Sequence, residues 1–467
     1  MFSAFLNTWK IPELRRRILF TLGIIAIARL GANVPCPGVD AGPLRQWIQA
    51  QQSEVGGSVF GLADLFTGGA LQQCAVFALG VMPYITASII MMMLSAVIPA
   101  LERLKQEGES GRARVIQYGR YLTIVVCVFQ GFFLAKAFEH PSKLFRGFTG
   151  VLVANPGVGF EILTVLTITT GTVLLMWLGE QITERGIGNG VSIIITVGIV
   201  DRMPRAIAQA WSLFFPGPGV ESQFNALHAI LLIVMLFAVT AAVVAMTVAR
   251  RRIPIQVAKR MIGNRMTASQ QTHVPLPINQ AGVMPIIFAQ AILMFPAQLF
   301  QMSGITTLQR LARVLTEGEV VYLTLYGLMI LAFSYFWVAI QFNPLEIAEN
   351  LKRSGGYIPG VRPGKPTAEH LNFVMTRITL AGAIFLTVVA VIPYILSHNL
   401  RIPYLTASFF GGTSLLINVG VLLDTMRQVE THLLQRHYDG FLRKGKLRLY
   451  DEAHREESIY TRVPDKP

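Results

Sequence analysis

Charge is scarce in this sequence. Asp, Glu, Lys and Arg make up 14% of its 467 residues, against about 25% in soluble domains. That shortfall excludes an ordinary cytosolic enzyme. The hydrophobic fraction of 52% excludes disorder, which needs low hydrophobicity and high charge. Cysteine is scarcer still. Cys36, Cys74 and Cys127 are too few and too scattered along the chain for a disulfide framework or a zinc site. Catalytic motifs are missing as well. Gly364-Lys365 is followed by Pro366 and no G-x-x-x-x-G-K-[ST] loop occurs, so nucleotide hydrolysis by that route is not expected. No H-E-x-x-H, G-x-S-x-G or His/Cys cluster occurs, which leaves metal and nucleophilic catalysis without support. The expectation is a chain that is no enzyme and carries no cofactor or metal. GIGNG at 186–190 has the glycines of a dinucleotide loop but no strand before it. It reads as a glycine-rich helix entry.

What is present is a series of long apolar runs. A helix rises 1.5 Å per residue, so about 20 apolar residues cross ~30 Å of hydrocarbon. Such runs lie at 18–34, 76–99, 118–138, 160–179, 226–248, 281–301, 321–342, 377–396 and 404–423, with a shorter one at 187–200. No signal-peptide cleavage pattern follows Arg15–Arg17, so the first run is expected to remain. The total of ten puts both termini on one side. Net charge is +14. Most Lys and Arg fall on the side that holds the termini, and the positive-inside rule places that side in the cytoplasm. Nucleic acid survives as a partner only in the form of ribosomal RNA docked on that face.

Ionisable residues are rare within the runs. Arg29, Glu161 and Glu180 lie near span ends, where side chains snorkel to the interface. Ion-coupled carriers keep carboxylates or His at mid-membrane, so the apolar middle argues against a small-solute transporter. An intramembrane enzyme would need paired catalytic groups, and none is found. Three stretches interrupt the spans. Residues 35–75 form a long outer segment. Residues 250–278 form a basic cytosolic loop. Residues 343–376 form another, centred on SGGYIPGVRPGKPT, whose Gly and Pro density implies an ordered turn or extended tip.

Seven strings occur in one order: FTGGALQQCAVFALGVMPYITASII (66–90), EGESGR (107–112), MWLGEQITERGIGNG (176–190), THVPLPIN (272–279), GVRPGKPT (360–367), VMTR (374–377) and FGGTSLL (410–416). In that order and spacing they resemble the SecY family, the central subunit of the protein-conducting channel. The resemblance implies an all-α integral membrane protein, with ten transmembrane helices in two pseudo-symmetric five-helix halves around a central pore. The halves would be 1–200 (spans 1–5) and 201–427 (spans 6–10), followed by a cytosolic tail, 428–467.

The resemblance also implies a narrow aliphatic waist of Val81, Ile85, Val191, Ile195, Ile287 and Ile417. Apolar side chains dewet a constriction and block ions. The pairs 81/85 and 191/195 are i,i+4, so each can share a helix face. The plainer reading is ordinary core or lipid-facing residues. A plug is implied at about 58–71, with Phe60, Leu62, Leu65 and Phe66 as its apolar side and Gly68-Gly69 as its hinge. The alternative is an interfacial amphipathic turn. A lateral gate is implied between spans 2 and 3 and spans 7 and 8. Its candidates are Thr86, Gln130 and Asn189, with Phe295 on span 7; simple interhelical bonding is the alternative. Pro285 and Pro296 would soften span 7, and Met91–Met93 offer adaptable thioethers to apolar signals.

The basic loops resemble docking arms for the ribosome and the motor ATPase SecA. Arg362 leads, supported by Arg251, Arg252, Lys259 and Arg260; part of this charge is also explained by topology and anionic lipid. The implied partners are SecE, SecG, SecA or the ribosome, a translocating polypeptide with its signal sequence, and membrane lipids. The implied setting is the bacterial plasma (inner) membrane. The implied activity is passive conduction of unfolded polypeptides, driven from outside this chain.

Overall fold

The computed structural model describes residues 11–50, 64, 66–141, 148, 150–215, 226–257, 261–262, 265–266, 271–302, 305–314, 320–400, 402 and 404–433. Its elements in order are α1 (Pro12–Asn33), α2 (Gly42–Ala50), α3 (Met82–Val97), α4 (Pro99–Gln106), α5 (Glu109–Glu139), α6 (Val158–Arg185), α7 (Gly190–Asp201), α8 (Met203–Phe214) and α9 (Ala226–Val248). Next come β1 (Arg250–Val257), β2 (Met261–Ile262), β3 (Arg265–Met266), β4 (Gln271–Pro277), α10 (Met284–Met302), α11 (Thr306–Val314), α12 (Val320–Gln341), α13 (Pro344–Arg353) and β5 (Gly356–Tyr357). The chain closes with α14 (Lys365–Leu400), α15 (Tyr404–Phe410) and a last helix, α16, over 412–433.

Helix dominates because the apolar runs leave the backbone no water to bond to, and a helix satisfies its own polar groups. Each of the ten runs carries helix. Among the described residues, five stretches are long and apolar enough to cross a membrane: Glu109–Glu139, Val158–Arg185, His228–Val248, Val320–Arg353 and Lys365–Ser397. A sixth arises if α3 and α4 count as one bent span. The second run differs from expectation. Helix begins only at Met82, and the axis turns by 102° at Ile98. Pro99 forces that break, because the residue before a proline is pushed out of the α region; Ile98 sits at φ −93°, ψ 111°.

Ion pairs fasten the two ends of the α5–α6 pair. Arg120 Nε lies 2.8 Å from Glu180 Oε1, and Lys136 Nζ lies 2.8 Å from Glu161 Oε1. The two cations are separated by about 24 Å of helix, close to one hydrocarbon thickness. Glu161 and Glu180 each have a basic partner on the neighbouring helix.

The two basic loops are one structure. β1 and β4 form an antiparallel hairpin running from Arg250↔Pro277 to Gln256↔Gln271. β5, from the second loop, adds to the other edge of β1 through Gln256↔Tyr357 and Val257↔Gly356. The Tyr357 hydroxyl donates to Gln256 Oε1 at 3.0 Å.

α7 enters through the GIGNG stretch. Gly188 has φ +84°, a conformation that favours glycine. Its N–H donates to Gln428 Oε1 of α16 at 2.9 Å. Asn189 caps α7 by accepting from the Ser192 N–H at 3.2 Å. Gly190 lies directly against the Gly179 carbonyl of α6. A side chain at 190 would have to enter that backbone contact. Gly190→Val is expected to lower thermal stability by more than the ~1 kcal/mol of an average substitution; an unchanged melting temperature would contradict this packing.

Candidate functional site

The six aliphatic residues proposed from sequence come from four helix starts and faces. Val81 is the N-cap of α3, and Ile85 lies one turn on, its N–H bonded to the Val81 carbonyl at 3.1 Å. Val191 and Ile195 lie on α7, Ile287 on α10 and Ile417 on α16. All six belong to one hydrophobic cluster. Val81, Ile85, Ile195, Ile287 and Ile417 are buried within it, and Val191 packs against it. Phe66 and Ala70 join the same cluster from the preceding turn segment.

The helices around this cluster pack in a defined order. α10 contacts α3 and α5 on one side and α12 on the other. Phe288 meets Phe333 and Trp337 of α12 edge-on, at centroid distances of 6.1 and 5.3 Å. Pro285 sits in the first turn of α10, where a missing N–H costs little; Pro296 lies inside the helix. Of the polar candidates at this seam, Thr86 donates to Met82 O of its own helix at 3.0 Å. Asn189 serves its own helix as cap. These two bonds are local and do not bridge the seam. Gln130 is half-buried on α5. Phe295 lies in α10, and its side chain is outside the described residues.

Of the residues expected to form a plug, Phe66 is buried, while Phe60, Leu62 and Leu65 lie outside the described residues. Gly68 and Gly69 have φ of +64° and +92°. A Cβ on Gly68 would stand 2.7 Å from Gly198 Cα of α7, so the pair holds a close backbone contact as well as a turn.

Sequence reasoning missed the charge beside this contact. Asp64 is fully buried and pairs with Arg202 at the α7–α8 corner. Its Oδ1 also accepts from Gln72 N–H at 3.0 Å and from the Thr67 hydroxyl at 3.4 Å. Arg29 of α1 reaches the Gly68 carbonyl at 3.5 Å and Asp201 at 3.8 Å. The segment before α3 is thus tied to α1 and to the α7–α8 corner. Nothing in the local spacing links residues 64 and 202; the pair forms only through the fold. Two carboxamides were missed as well. Gln290, one turn beyond Ile287, is buried, and its Oε1 has no partner among the described residues; the same holds for Asn418 Oδ1, next to Ile417. A lone Gln or Asn in an apolar run was the available signal.

On the basic face, Arg251 and Arg252 are exposed along β1, and Arg362 is exposed between Gly360 and Gly364. Those glycines have φ of +82° and +100°. The Thr367 hydroxyl donates to the Arg362 carbonyl at 2.8 Å, fixing the tip to the start of α14. Lys259 and Arg260 lie outside the described residues.

Asp64→Ala would leave the Arg202 guanidinium buried without its counter-charge. The expected loss is ~3–5 kcal/mol of stability, read as a fall in melting temperature of the purified protein. Asp64→Leu combined with Arg202→Met should recover most of it; a double variant as unstable as the single one would contradict the pairing.

Residues 75–426 match the family model described as SecY. The chain is 44% identical over 456 residues to the protein translocase subunit SecY of Streptomyces scabiei, covering 95% of this chain and 100% of that relative. A solved structure of a protein conducting channel superposes with a TM-score of 0.59 at 17% identity, covering 91% of this chain and 96% of that one. Canine Sec61, from a ribosome-channel complex of the endoplasmic reticulum, superposes with a TM-score of 0.56 at 16% identity, with the same coverage. The chain belongs to the SecY family.

Proposed function

We propose that this chain is the pore-forming subunit of a Sec protein translocase. It conducts unfolded secretory polypeptides across the bacterial plasma membrane and releases membrane-protein segments sideways into lipid. Its relatives carry matching descriptions: a protein translocase subunit, a protein conducting channel and a ribosome-channel complex. In this reading ten helices span the membrane, in halves 1–200 and 201–427, with both termini and the 428–467 tail in the cytoplasm. The single observation that carries it is the shared cluster. Aliphatic residues from α3, α7, α10 and α16 belong to it together with Phe66, although they lie far apart in sequence.

The mechanism follows from the chemistry of that contact. Aliphatic side chains hold no water between them, so a closed ring resists ions. Each contact between two such atoms is worth only ~0.1–0.2 kcal/mol, so the ring parts for a peptide without gripping it. The segment around Phe66 fills the ring on the outer side as the plug. The seam between α3–α5 and α10–α12 is the lateral gate, and its largely apolar packing lets a signal helix replace one greasy neighbour with another. Thr86, Gln130, Asn189 and Phe295 remain the gate candidates.

The sheet β4-β1-β5 and the Arg362 tip form the cytosolic docking face for SecA or the ribosome, with Arg251, Arg252, Lys259 and Arg260 in support. The Arg362 fork suits a carboxylate or a phosphate. SecE and SecG would cover part of the apolar surface that this chain leaves exposed, such as Leu22 and Leu30 on α1. Lipid covers the rest.

Arg362→Glu should cut motor- or ribosome-driven transport by about tenfold or more, the worth of one charge-assisted contact, at unchanged membrane insertion. Full transport would remove the docking role. Ile287→Gly with Ile417→Gly should raise resting ion conductance of proteoliposomes. A conductance equal to that of the unaltered channel would remove the ring assignment.

A further inference from the structure

Two of the three cysteines, far apart in sequence, face each other. Pro35 and Ala75 pair in an antiparallel bridge. It is framed by Cys36 N–H donating to Cys74 O at 2.8 Å and Val76 N–H donating to Val34 O at 2.9 Å. That pattern sets Cys36 directly opposite Cys74. The direct backbone bond makes the two residues neighbours, and a disulfide needs a Cα separation of ~4.4–6.8 Å. Both thiols are free in the structure, and the Cys36 thiol donates to the Ala75 carbonyl at 3.4 Å. Both side chains are buried in one apolar cluster with Leu44 and Phe138. Cys74 alone among the described non-glycine residues has a positive φ, +46°, a conformation that a side chain adopts only when its surroundings impose it. Cys127 lies elsewhere, on α5.

We propose that Cys36 and Cys74 are joined as a disulfide that closes the plug-bearing segment into a ring. The proposal rests on the outward placement of residues 35–75 in the function proposed above, because disulfides persist on the oxidising side of the membrane. The two thiols lose two protons and two electrons as the S–S bond forms. The electrons reduce the disulfide of an exterior thiol–disulfide oxidoreductase to its dithiol, through a mixed disulfide. Burial pushes both thiols up to about 12, so little thiolate exists once the segment is packed. Closure therefore belongs to the interval before the cluster around Leu44 forms, and packing then shields the bond from reductants. The ring holds α2 and the plug.

The test uses the full chain in its native membrane. Free thiols are trapped with N-ethylmaleimide in denaturant, and the protein is digested without reductant and mapped by mass spectrometry. The expected result is a linked Cys36–Cys74 peptide pair, two hydrogens lighter than the separate thiols, with Cys127 alkylated. In Cys36→Ser, Cys74 should become alkylated. A cysteine introduced by Asn155→Cys, in the exposed outer turn before α6, reports orientation through a membrane-impermeant maleimide added from outside. Free Cys36 and Cys74 together with labelled residue 155 would overturn the disulfide alone. An unlabelled residue 155 would overturn the orientation, and the proposal with it.

Discussion

Aliphatic side chains from four helices belong to one hydrophobic cluster, and the turns and caps at the helix starts set where each helix enters it. Val81 arrives as the cap of α3, after a turn segment held by Gly68, Gly69 and Gly80 in left-handed conformations. Val191 and Ile195 arrive on α7, whose start is fixed by the Asn189 cap and by the close approach of Gly190 to α6. Ile287 comes on α10, and Ile417 on α16, which also reaches back to Gly188 through Gln428. In the proposed function the ring must exclude water and still separate. Hydrocarbon contact meets both needs, because it is strong only in sum.

Charge is confined to the margins of this apolar centre, and each margin uses it differently. At the membrane-facing ends of α5 and α6, two ion pairs hold adjacent helices in register. Asp64 and Arg202 hold the segment before α3 against the α7–α8 corner, and Arg29 braces it from α1. A buried pair adds little net stability when formed, but losing one partner is costly. It acts as a fastener whose release is abrupt. On the basic face the charge stays exposed, with Arg251 and Arg252 on a sheet that joins two loops and Arg362 on the tip that follows its last strand.

The apolar runs were legible because burial in hydrocarbon leaves a long, local signature, and each run carries helix. The ends were not. In the second run helix begins only at Met82, after the backbone pairing of residues 34–36 with 74–76, and it bends at Ile98, where Pro99 breaks it. The hairpin of residues 250–277 read only as a basic loop, because its strands pair with each other and with Gly356–Tyr357 across a long stretch of sequence. Within the site, the six aliphatic residues named from sequence lie in or against a cluster that takes in many other residues of the bundle, so cluster membership does not set them apart as a ring. The Asp64–Arg202 pair could not be named from sequence, since its partners meet only through tertiary folding. The local bonds of Thr86 and Asn189 were equally hidden, because a polar residue in a span offers its own helix a partner before it offers one to a neighbour.

The central claim is that one polypeptide passes through the point where the four helices meet. Site-specific photocrosslinking tests it most directly. A photoreactive residue is placed in turn at Ile85, Ile195, Ile287 and Ile417, and a secretory chain is stalled midway through transport. The account predicts adducts between the stalled chain and all four positions. Absence of adducts at these positions, with the stalled chain verified and cytosolic control positions reacting, would mean that the cluster is core packing and that the path lies elsewhere.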